Sequence, residues 1–432
     1  MNGVTDRADL DVVASHALAS LLSRSHLLPP DAVAAAVIEA AEPLGVQFAR
    51  IYLADLQQRY LRPMCSGADS PADAFAIDTT VPGLAYKTIR TQQSSAACEQ
   101  AGTDDSAAAQ PGKRLWIPLV DGTERLGVLE LLVTDDSDAA LRWFRALASL
   151  VGLMVVSKAG YSDTYAVTRR TQEMALQAEL VWAFLPARTF ATDRVLVAAT
   201  LEPAYAIGGD AFDYSLLGTS LHVSIFDATG HDLTAGLLAS VAMASSRSTR
   251  RAGGTLSDAV VHADHAVAGQ FGGSTFVTAL LCELDVSSGV FSWSPCGHPP
   301  PLLIRGNRVV KELTGRPRLP LGIGLVDLAR SGLPAEVADA APIYAERLEP
   351  RDRLLLYTDG VTEARAADGS PFGVERLSDF IIRQSQAGTP APETIRRLHH
   401  AISDYQHGHL MDDATIVLVE WVPDDPQSRL TP

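Results

Sequence analysis

The run Leu221-His222-Val223-Ser224-Ile225-Phe226-Asp227-Ala228-Thr229-Gly230-His231 decides how this chain is read. Leu221 to Phe226 is strand-like, and a carboxylate stands at its end, just before a glycine-marked turn. Three other aspartates have similar settings: Gly208-Gly209-Asp210, Tyr357-Thr358-Asp359-Gly360 and Asp412-Asp413-Ala414-Thr415. Each lies close to an apolar, strand-like run, so residues remote in sequence are expected to meet at one active-site edge. Hard oxygen donors of this kind suit Mg²⁺ or Mn²⁺, whereas soft metals call for Cys or several His. One Asp beside Gly is ordinarily a turn residue; four in such contexts point to a site.

Working outward, strand-like runs dominate the second half of the chain: 195–201, 276–284, 289–294, 301–304, 353–357 and 415–421. Helical periodicity lies between them at 233–246, 256–268, 374–385 and 392–405. Two groups of strands with intervening helices predict two sheets sandwiched between helical layers, with the acidic ligands gathered at one edge.

The whole chain sets wider bounds. At 432 residues it is too long for one ordinary domain. An apolar fraction of 47% with 20% charged residues is that of a soluble globular protein. The formal charge of −16 argues against a nucleic-acid binder that works by phosphate neutralisation. The basic stretch Arg247 to Arg251 reads as a solvated helix end. Cys65, Cys98, Cys282 and Cys296 show no CxxC spacing and read as reduced thiols, with Cys282 and Cys296 in apolar strand-like contexts. The acidic N-terminus is unlike a signal peptide, and the apolar stretch around 146–156 is too short for a membrane span. A cytoplasmic protein is expected.

In the first half, 10–28 is amphipathic and helical, Pro29-Pro30 stops it, and Asp31 is read as the N-cap of a second helix to Ala41. Strands are expected at 47–53 and 61–65, a helix at 83–91 and an exposed loop over 92–111. A hairpin follows, 114–120 and 125–133 about the turn Asp121-Gly122, and then a long helix from Asp138. This order predicts an antiparallel sheet covered by helices. The hairpin Leu115-Trp116-Ile117-Pro118-Leu119-Val120 with Leu126-Gly127-Val128-Leu129-Glu130-Leu131, and the helix start Pro82-Gly83-Leu84-Ala85, resemble a GAF domain. The resemblance implies a sensory or dimerisation module with a small-molecule ligand as one candidate partner. From Tyr161 to Leu185 the pattern stays helical, as a parallel coiled coil in a homodimer or as a helix packed on the next domain; both readings stand.

The motifs of the second half extend beyond the aspartates. In order they are Glu202-Pro203, Ile207-Gly208-Gly209-Asp210-Ala211-Phe212-Asp213, Phe226-Asp227-Ala228-Thr229-Gly230-His231, Phe276-Val277-Thr278-Ala279, Cys296-Gly297-His298-Pro299-Pro300, Leu319-Pro320-Leu321-Gly322, Tyr357-Thr358-Asp359-Gly360-Val361-Thr362-Glu363 and Asp412-Asp413-Ala414-Thr415. Together they resemble the metal-dependent PPM (PP2C-type) serine/threonine phosphatases, in the bacterial branch of SpoIIE and RsbU. The resemblance implies an α+β protein: a GAF-like antiparallel sheet with helices, a helical linker and a PP2C-like α-β-β-α sandwich. The expected divisions are an N-terminal helix at 1–26, the GAF-like domain at 27–158, the linker at 159–190, the phosphatase domain at 191–423 and a flexible tail at 424–432.

The same resemblance implies two Mn²⁺ or Mg²⁺ ions. Asp227 would bridge them, the Ala228 carbonyl and Asp210 would serve the second, and Asp359 and Asp412 the first. Either member of the Asp412-Asp413 pair could face the metal, and alignment to the motif favours Asp412. Gly209, His231 and Asp413 are expected next to the ligands. No side chain is assigned as catalytic: a metal-bridged water is the implied nucleophile, with no covalent phosphoenzyme. His298 reads as a structural hydrogen-bonding residue. The implied substrate is a phosphorylated protein, by analogy an anti-anti-sigma factor of the STAS type.

One departure stands out, because the family pattern continues with Gly where this chain has Asp232. If that position needs positive φ, Asp tolerates it less well than Gly. The following helix and the linker before Pro186 are expected to couple sensor state to metal-site assembly. A competing reading is an inactive sensor module that docks a regulatory partner. A diguanylate cyclase, suggested by Gly208-Gly209-Asp210, would want another acidic residue and Phe next, where Ala211 stands.

Overall fold

The computed structural model describes residues 2–64, 74–95, 112–206, 208–272, 275–306, 308–316, 318–323, 341–406 and 412–423, with side chains from Leu10 onward except that of Ser95. Most of the expected loop at 92–111, the tail at 424–432, Ile207, Cys65 and Cys98 lie outside them. The chain divides between Gln172 and Glu173 into two compact units.

The first unit runs α1 (Asn2–Ser25), α2 (Val33–Ala41), β1 (Val46–Ala54), β2 (Tyr60–Pro63), β3 (Phe75–Ala76), α3 (Val81–Thr88), β4 (Gln92–Ser95), β5 (Lys113–Asp121), β6 (Glu124–Val133), α4 (Asp138–Ala159) and α5 (Asp163–Arg169). Its strands form one antiparallel sheet in the order β3-β2-β1-β6-β5-β4. Strand periodicity explains how both faces are covered. Ile51, Leu115, Ile117, Leu129 and Leu131 pack with Phe144, Leu147 and Val151 of α4. The alternate residues Tyr52, Trp116 and Val128 pack on the other face with Tyr86 of α3. By length and hydropathy α4 could cross a membrane, whatever the shorter apolar run suggested, but half of its apolar window is buried inside the protein.

The second unit runs α6 (Leu176–Phe184), β7 (Thr189–Ala191), β8 (Val195–Glu202), β9 (Asp210–Leu217), β10 (Ser220–Ala228), α7 (Leu233–Arg251), α8 (Leu256–Phe271), β11 (Val277–Asp285), β12 (Val290–Cys296), β13 (Leu302–Arg305), β14 (Arg308–Glu312), β15 (Tyr344–Arg347), β16 (Arg353–Tyr357), α9 (Asp359–Thr362), α10 (Gly373–Gln386), α11 (Ala391–Tyr405) and β17 (Ala414–Trp421). Two sheets result, β15-β12-β11-β10-β9 and β14-β13-β16-β17-β8-β7. In β16 and β17 every residue type alternates between layers. Leu354, Leu356, Val417 and Val419 join the core that includes β8, β10, α7 and α8. Leu355, Tyr357, Ile416 and Leu418 face α10 and α11. Strands buried on both faces read as continuous apolar runs, and the fold is the expected α-β-β-α sandwich. Cys282 and Cys296 are buried free thiols.

Several expectations need correction. Asp31 does not cap α2: a 3-10 turn, Pro30–Ala32, leads straight into the helix, with Asp31 inside that turn. Residues 92–95 are a strand paired to β5, because the ladder supplies partners that a polar composition does not advertise. The hairpin turn is Gly122-Thr123, since Asp121 and Glu124 still pair and Gly122 takes φ +58°. The helix expected over 161–185 breaks between Arg169 and Leu176. There the Ala175 N–H donates to the Tyr205 carbonyl at 2.8 Å, so its backbone is held extended by the second unit. Arg247 and Arg250 are not a solvated helix end: three residues apart on α7, they share a face and pair with Asp213 of β9 at 2.7 and 3.1 Å.

Candidate metal centre

Strand register brings the carboxylates together from two sheets. Asp227, near the end of β10, pairs with Asp210 at the start of β9 and with Thr278 of β11. In the other sheet β16 ends at Tyr357, Thr358 follows, and Asp359 opens α9; Asp412 and Asp413 immediately precede β17. The sheets are stitched at this edge. Thr358 Oγ1 donates to Asp210 Oδ2 at 2.7 Å and accepts from the Thr415 N–H at 2.9 Å.

Asp413 is the second stitch. Its Oδ2 accepts from the backbone N–H groups of Gly208, Gly209 and Asp210 at 2.6, 2.7 and 3.2 Å. Asp413 is buried with that oxygen engaged in the loop, whereas Asp412 is exposed and accepts the Asp413 N–H at 2.9 Å. The two neighbours therefore differ: Asp413 spends Oδ2 on the loop at 208–210, while Asp412 keeps an exposed carboxylate.

The glycines are explained by close approach. A Cβ on Gly209 would lie 2.4 Å from the Ala228 carbonyl oxygen, and one on Gly360 only 1.9 Å from the Asp413 carbonyl oxygen. His231 is exposed, and a Cβ on Gly208 would meet its Cα at 2.5 Å. Asp232 does not need positive φ. It is extended at φ −106° and caps α7, its Oδ1 accepting from the N–H groups of Thr234 and Ala235 at 2.9 and 3.2 Å.

The electrostatics are those of crowded acids. Burial first, then Asp359 and Asp412, pushes the Asp227 carboxyl up to about 7. Burial, then Asp227 and Asp413, raises Asp210 well above the usual carboxylate range. Burial followed by Asp412 and Glu363 raises Asp359. Asp413 is pushed up to about 6 by burial, opposed by its three backbone donors. Like charges held together out of water are each costly to ionise. Among the described residues no three or more His, Cys, Asp or Glu side chains are grouped closely enough to hold a metal ion as they stand. The donor chemistry nevertheless fits a hard divalent cation: all carboxylate and carbonyl oxygens, with a field that a cation would relieve.

Sequence reasoning assigned no role to Thr278 or Thr358, which lie inside the quoted motifs. The available signal was a hydroxyl residue next to, or in register with, a carboxylate at a strand end. His298, expected to be structural, is buried and bonded at both ring nitrogens: Nδ1 lies 2.9 Å from Thr278 Oγ1 and Nε2 3.1 Å from the Tyr357 carbonyl. Burial pushes its pKa down to about 3, so the ring is neutral.

Comparison with known proteins matches residues 218–422 to the family of stage II sporulation protein E (SpoIIE). The phosphoserine phosphatase RsbU of Bacillus subtilis is 21% identical over 282 residues, covering 64% of this chain and 79% of RsbU. Among solved structures, the RsbU and RsbW domains of a Mycobacterium tuberculosis protein align at 26% identity and TM-score 0.43. That alignment covers 53% of this chain and 62% of the other, under two thirds of its length. The SiaA-PP2C domain of Pseudomonas aeruginosa aligns at 20% identity and TM-score 0.44, over 52% of this chain and 85% of that one.

Proposed function

We propose that this chain, whose residues 218–422 match the SpoIIE family and which is similar to the phosphoserine phosphatase RsbU, hydrolyses phosphoserine or phosphothreonine with two divalent cations held by Asp210, Asp227, the Ala228 carbonyl, Asp359 and Asp412. The observation that carries this reading is the strand register that sets Asp227 against Asp210 at the edge where Asp359 and Asp412 also stand. When bound, such a pair of cations neutralises phosphoryl charge and makes a water acidic enough to attack phosphorus. The protein's part is positional. Thr358 holds Asp210, and Asp413 fixes the loop at 208–210 so that Gly209 lies against the Ala228 carbonyl. Mn²⁺ and Mg²⁺ both satisfy the oxygen donor set.

Hydrolysis of p-nitrophenyl phosphate with Mn²⁺, compared with Asp227→Asn and Asp359→Asn, tests the reading. A loss of at least about 100-fold in both variants is expected from removing a ligand. Equal rates in all three proteins would reject the site, and no hydrolysis above background in the parent would favour a docking module instead. The substrate that the family resemblance implies is a phosphorylated anti-anti-sigma factor of the STAS type, and a cytoplasmic location goes with that role.

Regulation belongs to the same proposal. Trp182 of α6 donates to the Ala204 carbonyl at 2.8 Å, Ala175 donates to Tyr205, and Gln177 Nε2 reaches the His231 carbonyl at 3.4 Å. One helix therefore touches the loops that precede Asp210 and follow Asp227. The GAF-like unit would act on the site through α6 and α7, with a small-molecule ligand or homodimerisation as its input.

A further inference from the structure

We infer that His298 and Thr278 are positioning residues that tie the two sheets at the carboxylate edge, fixing the Asp227 carboxylate relative to the strand end that bears Asp359. The inference rests on the metal-site reading above. The Tyr357 carbonyl has only lone pairs, so the ring nitrogen beside it, Nε2, carries the proton and donates. In a neutral imidazole Nδ1 is then an acceptor, and Thr278 Oγ1 at 2.9 Å is its donor. The same hydroxyl lies 3.3 Å from Asp227 Oδ2. One hydroxyl proton thus faces two acceptors, and turning wholly to the carboxylate would leave a buried ring nitrogen unpaired, which is costly.

Each member is placed by a different part of the fold. Thr278 is fixed opposite Asp227 by β-ladder register. Gly297, at φ +70° with no room for a Cβ against Pro320, turns the chain after β12 and so sets His298. Tyr357 ends β16, two residues before Asp359. The chain of contacts Tyr357–His298–Thr278–Asp227 therefore crosses from one sheet to the other and ends on the proposed bridging carboxylate.

The test is Mn²⁺ binding to the full chain by calorimetry, beside thermal unfolding of the metal-free protein. Thr278→Val keeps shape and removes the hydroxyl. His298→Gln keeps a donor for Tyr357 and removes the acceptor facing Thr278. Each is expected to weaken Mn²⁺ affinity about 10- to 100-fold, as residues that orient metal ligands do, while Thr278→Ser restores it. Parent-like Mn²⁺ affinity in either folded variant, with only a lowered melting temperature, would overturn the inference and leave a merely structural role. A parent that binds no Mn²⁺ would overturn both the metal-site reading and this inference. A parent that binds Mn²⁺ but cleaves no phosphoester would overturn the phosphatase reading alone, since the tie is read by binding.

Discussion

Asp412 and Asp413 are neighbours in sequence with different surroundings, and single substitutions should separate them. Asp413→Ala strands the backbone donors of Gly208, Gly209 and Asp210. A cost of roughly 1–3 kcal/mol in metal-free stability is expected, read by chemical denaturation. Asp412→Asn should leave that stability near the parent's and instead weaken Mn²⁺ binding. Asp227 yields a pH prediction. Its carboxyl, ordinarily near 3.8, is pushed up to about 7 in the folded metal-free protein. Between those values the folded chain keeps a proton that the unfolded chain has released. Metal-free stability is therefore full below about pH 4 and falls as pH rises through about 7, with Asp413 acting in the same direction up to about 6. Denaturation midpoints that stay flat across this window would contradict the burial and repulsion assigned to these acids. At this scale Asp210, Asp227 and Asp359 could be picked out as candidates because each stands in a glycine-marked motif beside an apolar run. The hydroxyls of Thr278 and Thr358 were not, because a threonine's role depends on which strand lies beside it.

Among the elements, α7 shows how a departure from a family pattern can be a local device. Asp232 accepts two N–H groups of its first turn. Asp232→Ala should cost about 1 kcal/mol of stability, as loss of an N-cap does, and Asp232→Asn should recover most of it. Gly360→Ala is a harsher change, because its Cβ would meet the Asp413 carbonyl at 1.9 Å. It is expected to abolish phosphoester hydrolysis and lower the melting temperature. Helices α10 and α11 were legible from their 3.6-residue apolar spacing, and most central strands from their apolar runs. The broken linker helix was not, since the periodicity of 161–185 continues through a break that Tyr205, remote in sequence, imposes by hydrogen bonding. Strand β4, all Gln and Ser, was hidden for a related reason: pairing, not composition, makes it a strand.

For the molecule as a whole, the division at Gln172 and Glu173 assigns α6 to the unit that holds the carboxylates. A fragment beginning at Glu173 should then keep a different metal response from one beginning at residue 187, which lacks α6 and its hold on Ala204. Mn²⁺ titrations of hydrolysis should give a higher half-saturating concentration for the shorter fragment. Identical curves for the full chain and both fragments would remove α6 and the N-terminal unit from regulation.

The sequence by itself determined the class of fold and offered the carboxylates as candidates for one edge, because apolar periodicity and glycine-marked strand ends are local properties. It also contained the order of motifs that matches a phosphatase family. Only the tertiary structure decided which of Asp412 and Asp413 is spent on backbone donors, why Asp232 is tolerated, and how Thr278, Thr358 and His298 join one sheet to the other. Apart from the local cap made by Asp232, those outcomes depend on hydrogen bonds between residues remote in sequence or on neighbouring strands. Such contacts come into being only when the two sheets pack.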